Sequence, residues 1–199
     1  MAMTGSDGEH TLQQQSGSTH RAARFYDRQM KDHLTESMQS FVMRQEMVFL
    51  ATSDAKGNCD CSPRFGKPGF VHVINNRMLA IPEFRGNGVF ANLGNILENP
   101  HIGLVFVDFL DSTVGLHVNG RATISLTHQI PFPVSPLENT YEIDETVRFI
   151  ERWILIDIEE AYIHCSKHVP RLQKLDKSIH WGTDDPKAKT DNFFSQLPS

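Results

Sequence analysis

The chain has 199 residues, with a hydrophobic fraction of 39%, a charged fraction of 22% and a formal net charge of -5. That length supports one domain with a sizeable core, and the acidic balance excludes a general nucleic-acid binder, which would be basic. No stretch reaches the roughly 20 apolar residues that cross a bilayer, and the first residues lack an apolar secretory core, so a cytoplasmic location is expected.

Residues 1–20 are polar, rich in Gln, Ser, Gly and Thr. They read as a disordered arm ahead of a domain over 21–181. His20 to His33 is mixed and reads as helical. Met38, Phe41, Val42 and Met43 recur at helical spacing, with Thr35 as N-cap, which predicts a helix over 36–46. The period then changes. "MVFLATS", the turn "DAKGN" and "CDCSPRF" make one hairpin. "GFVHVIN" and "RMLAIP" make a second, turning at Asn75-Asn76. A helix is predicted over 88–98. "HIGLVFVDFL" and "VGLHVNGRATISL" form the third strand pair. Six antiparallel strands with one inserted helix predict a mainly β chain with α additions, built as a barrel or sandwich.

Residues 127–140 hold three prolines and read as a surface excursion. The following segment begins helical and turns to strand near Trp153. "CSKHVPRL" reads as a short helical turn, and 182–199 as a polar tail. Three cysteines are too few, and odd in number, for a disulfide framework. Cys59 and Cys61 share one face of a strand. The reading as small apolar fillers outweighs a metal pair, because no second ligand pair stands at zinc spacing. No metal site is expected.

Arg85-Gly86-Asn87 fills the short gap between the fourth strand and the helix. A helix N-terminus exposes unpaired N–H groups and the positive end of its dipole. Glycine and asparagine leave room for a ligand, and arginine adds a fork of donors, a combination suited to a phosphate dianion. Arg85, Asn87 and Asn92 are therefore candidate ligands. The competing reading, equally weighted, makes Arg85 a solvated loop residue and Asn87 a helix cap. Ser62-Pro63-Arg64 lies on the second strand. If the two hairpins pair, Arg64 converges with Arg85 on one mouth of the barrel; the alternative is a surface charge.

Together, "ATSDAKGNCDCSPR", "GFVHVINNRMLAIPEFRGN", "NILENPHIGLVF" and "GLHVNGRATI" resemble the pyridoxamine 5'-phosphate oxidase-like, FMN-binding split-barrel family over about residues 36–126. "EAYIHCSKHVPRL" matches a C-terminal feature of one subgroup. The resemblance implies FMN bound at a homodimer interface, with Ser62, Pro63, Arg64 and the Arg85–Asn87 loop at positions that contact flavin and phosphate. It does not extend to a true pyridoxamine phosphate oxidase. Where those enzymes carry Arg-x-x-Leu-Leu-Lys, this chain has "RFGKPG". Their Arg-Lys pair at the helix start and their C-terminal Arg-x-His are also absent.

Other cations are candidates. Arg121 in "VNGRA" reaches a flavin or partner subunit, or is a charge at the barrel rim. His164, Cys165, Lys167, His168 and Arg171 crowd one short segment. Adjacent His and Cys on a turn do not readily face one ion. Lys167 is the candidate for a basic edge over the cofactor or substrate, against a solvated basic turn. Trp153 and Trp181 are stacking candidates, though core packing is the commoner role. The expected function is an FMN-dependent oxidoreductase acting on a small molecule. The alternatives are a flavin carrier or sensor without turnover, and a split-barrel protein using deazaflavin F420 or haem. No catalytic triad is evident, and none is required where the cofactor carries the redox chemistry.

Overall fold

The computed structural model describes residues 4–126 and 150–179. The excursion at 127–140, Trp181 and the tail at 182–199 lie outside the described residues. Helices α1 (Asp7–Gln15), α2 (Thr19–Arg28) and α3 (Glu36–Arg44) precede β1 (Met47–Ser53), β2 (Cys59–Phe65), β3 (His72–Asn75) and β4 (Met78–Phe84). Helix α4 (Ala91–Glu98) follows, then β5 (His101–Val107), β6 (Gly115–Leu126), β7 (Ile150–His164) and a 3-10 turn at Ser166–His168.

The seven strands of the described residues join one antiparallel sheet in the order β2-β1-β5-β6-β7-β4-β3. The predicted mainly β arrangement is the observed one, with one strand more than the six counted. The segment expected to begin helical is strand from Ile150, and it runs through the middle of the sheet between β6 and β4. Ile154, Ile156 and Ile158 are buried every second residue along it. That period-2 pattern matches a sheet face, and burial overrides the local helical signal.

The other inward rows repeat the pattern. Val48 and Leu50 of β1, Leu79 and Ile81 of β4, Ile102, Leu104 and Phe106 of β5, and Leu116 and Val118 of β6 form one core with Val42 of α3 and Leu93 and Ile96 of α4. Trp153 is also buried, its ring edge-on to His72 at 5.1 Å, so it serves packing. Prolines stand where a missing N–H is harmless. Pro63 lies on β2, the edge strand, and Pro82 lies past His72–Ala80, where the β3 pairing stops.

The sheet curls strongly. Arg64 of β2 bonds Glu83 of β4 at 2.9 Å, although the two strands are five places apart in sheet order. In a flat sheet, five spacings of about 4.8 Å would hold them roughly 24 Å apart. Among the described residues the backbone ladder stops at β2 and β3, so the barrel is split there, and side chains span the opening.

Two expectations change. The polar start of the chain is not a featureless arm, because residues 7–15 form α1. Ser6 and Glu9 make a complete capping box, and Gln13 and Glu9 both bond Tyr26 of α2. Helix α2 is tied in turn to the sheet by a Lys31–Ala161 bridge and the Phe25–Tyr162 ring contact. Cys59 and Cys61 are not fillers. Both are exposed, because nothing among the described residues covers the outer face of β2 there.

Gly120 sits at the bulge where β6 slips against β7, and a Cβ on it would lie 2.0 Å from the Asp157 carbonyl oxygen. Gly94 faces solvent on α4 with open space around it. Opposite signs are expected from the same substitution. Gly120→Ala lowers unfolding free energy by about 1–3 kcal/mol or more, whereas Gly94→Ala raises it by about 0.5–1 kcal/mol. Urea unfolding of both variants checks this.

Burial pushes the His72 imidazole below its ordinary value of 6.5. Burial first, then the neighbouring His164, does the same for His117. The fold therefore disfavours protonating either ring, whereas the unfolded chain takes up protons more readily. Their stabilisation is therefore present above about pH 6.5 and is lost as pH falls below it. The urea midpoint should drop between about pH 7.5 and 5.5, and His72→Phe, which keeps a ring against Trp153, should reduce that drop.

Candidate functional site

Six residues, 85–90, join β4 to α4. Gly88 takes φ 79°, and Phe90, the residue before the helix, takes φ 54° and ψ 37°. Both lie in the left-handed region, which costs a non-glycine residue conformational energy. Phe90 receives the guanidinium of Arg152, 5.5 Å above its ring. The Asn87 side-chain oxygen accepts from Val89 N–H at 3.0 Å. Asn87 thus tightens the loop and does not cap the helix. Among the described residues no side chain caps α4, and its ladder begins with Gly94 N–H donating to Phe90 carbonyl at 2.7 Å. The loop turns the chain so that the N–H groups of 91–93 open α4 beside exposed glycines, which explains the three-residue delay after the predicted start at 88.

Arg85 leads this loop, half-exposed, with Nε donating to Glu151 Oε1 at 3.0 Å. Arg64 lies deeper, its side chain only 19% exposed. It donates from Nε and a terminal nitrogen to both Glu83 oxygens (2.9 and 3.2 Å) and from the latter to Asn92 Oδ1 at 3.2 Å. Asn92 is buried, and its amide donates to Thr52 Oγ1 at 3.0 Å; Asn95 donates to the same oxygen at 3.0 Å. The chain Glu83–Arg64–Asn92–Thr52 links β4, β2, α4 and β1 in one polar network inside the split. Ser62 also faces inward and donates to Asp60 at 2.9 Å, whereas Pro63 points outward.

Arg64 and Asn92 therefore meet directly, and Arg85 follows Glu83 on the same chain segment. The hairpins do not pair, contrary to the condition set for convergence of the two arginines. They lie at opposite ends of the sheet order, and curling with the Arg64 side chain brings them together. Arg121 is elsewhere. It sits on the outer face of β6 and donates to His101 Nε2 at 3.0 Å, while His101 Nδ1 contacts Asn99 Oδ1 at 2.7 Å. That places it near the C-terminal end of α4, about 12 Å of helix from the loop. Lys167 is exposed beyond the far end of β7. From Ile150, opposite Phe84, to His164, opposite Gly115, β7 extends roughly 45 Å at the usual strand rise. Within one chain Lys167 does not join Arg85.

A cavity of 720 Å³ lies at the β1 start, with Met47, Phe65, Lys67, Phe109, Leu172 and Lys174 among its lining. Phe65 alternates with Arg64 along β2, so this cavity opens on the opposite face of the strand from the polar network.

Sequence reasoning missed Glu83, Thr52, Asn95 and Glu151. Glu83 had a readable signal, since a lone acid in the apolar strand "MLAIPEF" needs a cation. The others act across long sequence separations that no local pattern records.

The profile of a family described as pyridoxamine 5'-phosphate oxidase matches residues 34–165. No curated protein matches the chain. Among solved structures, HupZ of Group A Streptococcus is 19% identical, covering 70% of this chain and 99% of its own, with a TM-score of 0.47. General Stress Protein 26 of Bacillus anthracis is 16% identical, covering 63% and 89%, at 0.42. HutZ, the haem storage protein of Vibrio cholerae, is 14% identical, covering 65% and 94%, at 0.43.

Glu83→Ala leaves a largely buried guanidinium without its carboxylate, and a cost approaching the about 3–5 kcal/mol of a broken buried pair is expected. Adding Arg64→Met should restore most of the loss. A urea midpoint for Glu83→Ala within error of wild type would contradict the assigned burial.

Proposed function

The chain belongs to the pyridoxamine 5'-phosphate oxidase family, and from that premise we propose that it binds FMN and uses it as an oxidoreductase of a small molecule. The observation that carries the reading is the 85–90 loop, where an arginine, two glycines and an uncapped helix start converge. This donor set fits a phosphate dianion. The guanidinium supplies charge-assisted donors, the glycines permit close approach, and the helix start adds N–H groups aligned with its dipole.

Roles divide among the candidate residues. Arg85 is the principal phosphate ligand. Asn87 shapes the loop and, with the N–H groups of 91–93, completes the cradle. Arg64 is engaged by Glu83 on both oxygens, so its role is to hold Asn92 and the α4 start in place. Ser62 and Pro63 line the adjoining strand. The bound flavin would supply hydride or electron transfer, and the chain's own groups bind and orient it.

The barrel interior is filled by the apolar core, so the flavin ring rests against a second surface, that of a partner subunit in a homodimer. Arg121 and Lys167 stand away from the loop within one chain and contribute only if the partner supplies them. The pyridoxamine phosphate reaction is not expected, because the second-strand and helix-start patterns differ in "RFGKPG" and "RGN".

Arg85→Ala should weaken FMN binding by about 1.5–3 kcal/mol, or about ten- to a hundred-fold. Riboflavin, lacking the phosphate, should lose far less. Titration of apo wild type and variant with both ligands at one salt concentration checks this. Equal losses for the two ligands, or none for FMN, would reduce Arg85 to a solvated loop residue.

A further inference from the structure

We propose that Cys59 and Cys61 form a two-thiolate site for a soft monovalent metal ion of the Cu(I) or Ag(I) type. Both side chains are exposed and stand on one face of β2, separated by Asp60, which points inward and accepts from Ser62. The strand leading to them starts from a tightly held turn. Asp54 accepts from Lys56 N–H at 2.8 Å, Asn58 N–H at 2.9 Å and the Asn58 amide at 2.8 Å. Opposite the two cysteines on β1 are Ser53 and Ala51. Ser53 already accepts from Asn99 at 2.9 Å. The two thiols thus project from one strand that β1 holds along its whole length.

Spacing decides which chemistry they suit. Same-face residues two apart on a strand are separated by about 6.6 Å, and their Cβ atoms point the same way. A disulfide needs Cβ atoms roughly 3.5–4.5 Å apart, so closing one would break the β1–β2 ladder. A bridging metal relaxes that demand, because two metal–sulfur bonds of about 2.3 Å place the sulfurs up to about 4.6 Å apart. Rotation of the two side chains toward each other covers the difference. Only the weak Cys59 thiol contact to the Gly57 carbonyl, 3.5 Å, is given up.

Ligand count decides the metal. Among the described residues, no three or more His, Cys, Asp or Glu side chains are placed to hold one metal ion together. Zinc prefers four such ligands. A soft d10 monovalent ion is satisfied by two thiolates. Binding releases one proton from each thiol to solvent, with no change of oxidation state, and leaves a bis-thiolate complex of net charge -1. The third cysteine, Cys165, lies just after β7 and takes no part.

Reduced full-length protein is titrated without oxygen using Cu(I) delivered from a coloured competing chelator. One ion per chain is expected for wild type and for Cys165→Ser, with equal affinity. Cys59→Ser and Cys61→Ser should each bind about 10²–10⁴-fold more weakly, since the remaining thiol loses the gain of a tethered second ligand. Zn(II) should compete poorly. Both cysteines are exposed, so circular dichroism and the urea midpoint should not move. The proposal is overturned if wild type takes up no Cu(I). It also fails if the double variant Cys59→Ser/Cys61→Ser binds as tightly as wild type, if Zn(II) binds equally well, or if sedimentation shows one ion joining two chains.

Discussion

Arg64 and Glu83 hold together two strands that no backbone ladder joins. A sheet of seven strands has no reason of its own to curl until strand one meets strand six, because twist alone leaves its edges apart. The guanidinium spans that opening with two bonds to one carboxylate, and their largely buried position makes each intolerant of losing the other. An apolar pair of similar size would pack there as well or better in energy. What an ion pair adds is direction. It matches one residue of β2 to one residue of β4 and sets the width of the split.

Helix α4 depends on that width. It closes over the opening, and its buried face mixes apolar and polar residues. Leu93 and Ile96 enter the core, while Asn92 reaches the arginine and the threonine of β1. Asn95, Glu98 and Asn99 add bonds to Thr52, Ala55 and Ser53. A helix of eight residues is marginal by itself. These side-chain bonds, more than its own propensity, fix where its N-terminus lies. The geometry of the 85–90 loop is thus set by a network that starts inside the barrel, and the left-handed Phe90 is tolerated because both of its flanks are anchored.

The strands and their turns were legible because each rests on local chemistry. "DAKGN" turns where expected, and the second hairpin turns one residue later than expected, at Asn76-Arg77, because Asn75 still pairs with Met78. Strand β6 alternates in sequence as it does in burial, while β1 and β5 stand out as short apolar runs. The α3 cap at Thr35 was equally plain. Strand β7 was half-hidden, since its charged residues fit a helix as well as the solvent face of a strand. Helix α1 was missed although Ser6 and Glu9 carry the capping-box spacing, because a polar composition outweighed that signal. At the site, the loop cations were visible as residue types. Their partners were not, because the Arg64–Glu83 contact comes from sheet order and curl, which no window of sequence contains. The exposure of Cys59 and Cys61 was hidden for the same reason, since it depends on β2 being the outermost strand.

That outermost position has a consequence for self-association. A bare strand edge invites another chain to add to the sheet, and proteins guard against it with proline and with charges turned inward. Strand β2 carries both, Pro63 without a donor and Arg64 committed to the interior. An incoming strand would meet a gap in its hydrogen-bond ladder beside a residue that cannot swing out without opening the barrel. Addition of a strand along that edge is therefore disfavoured, by the donor that Pro63 lacks and by the same arginine that shapes the barrel.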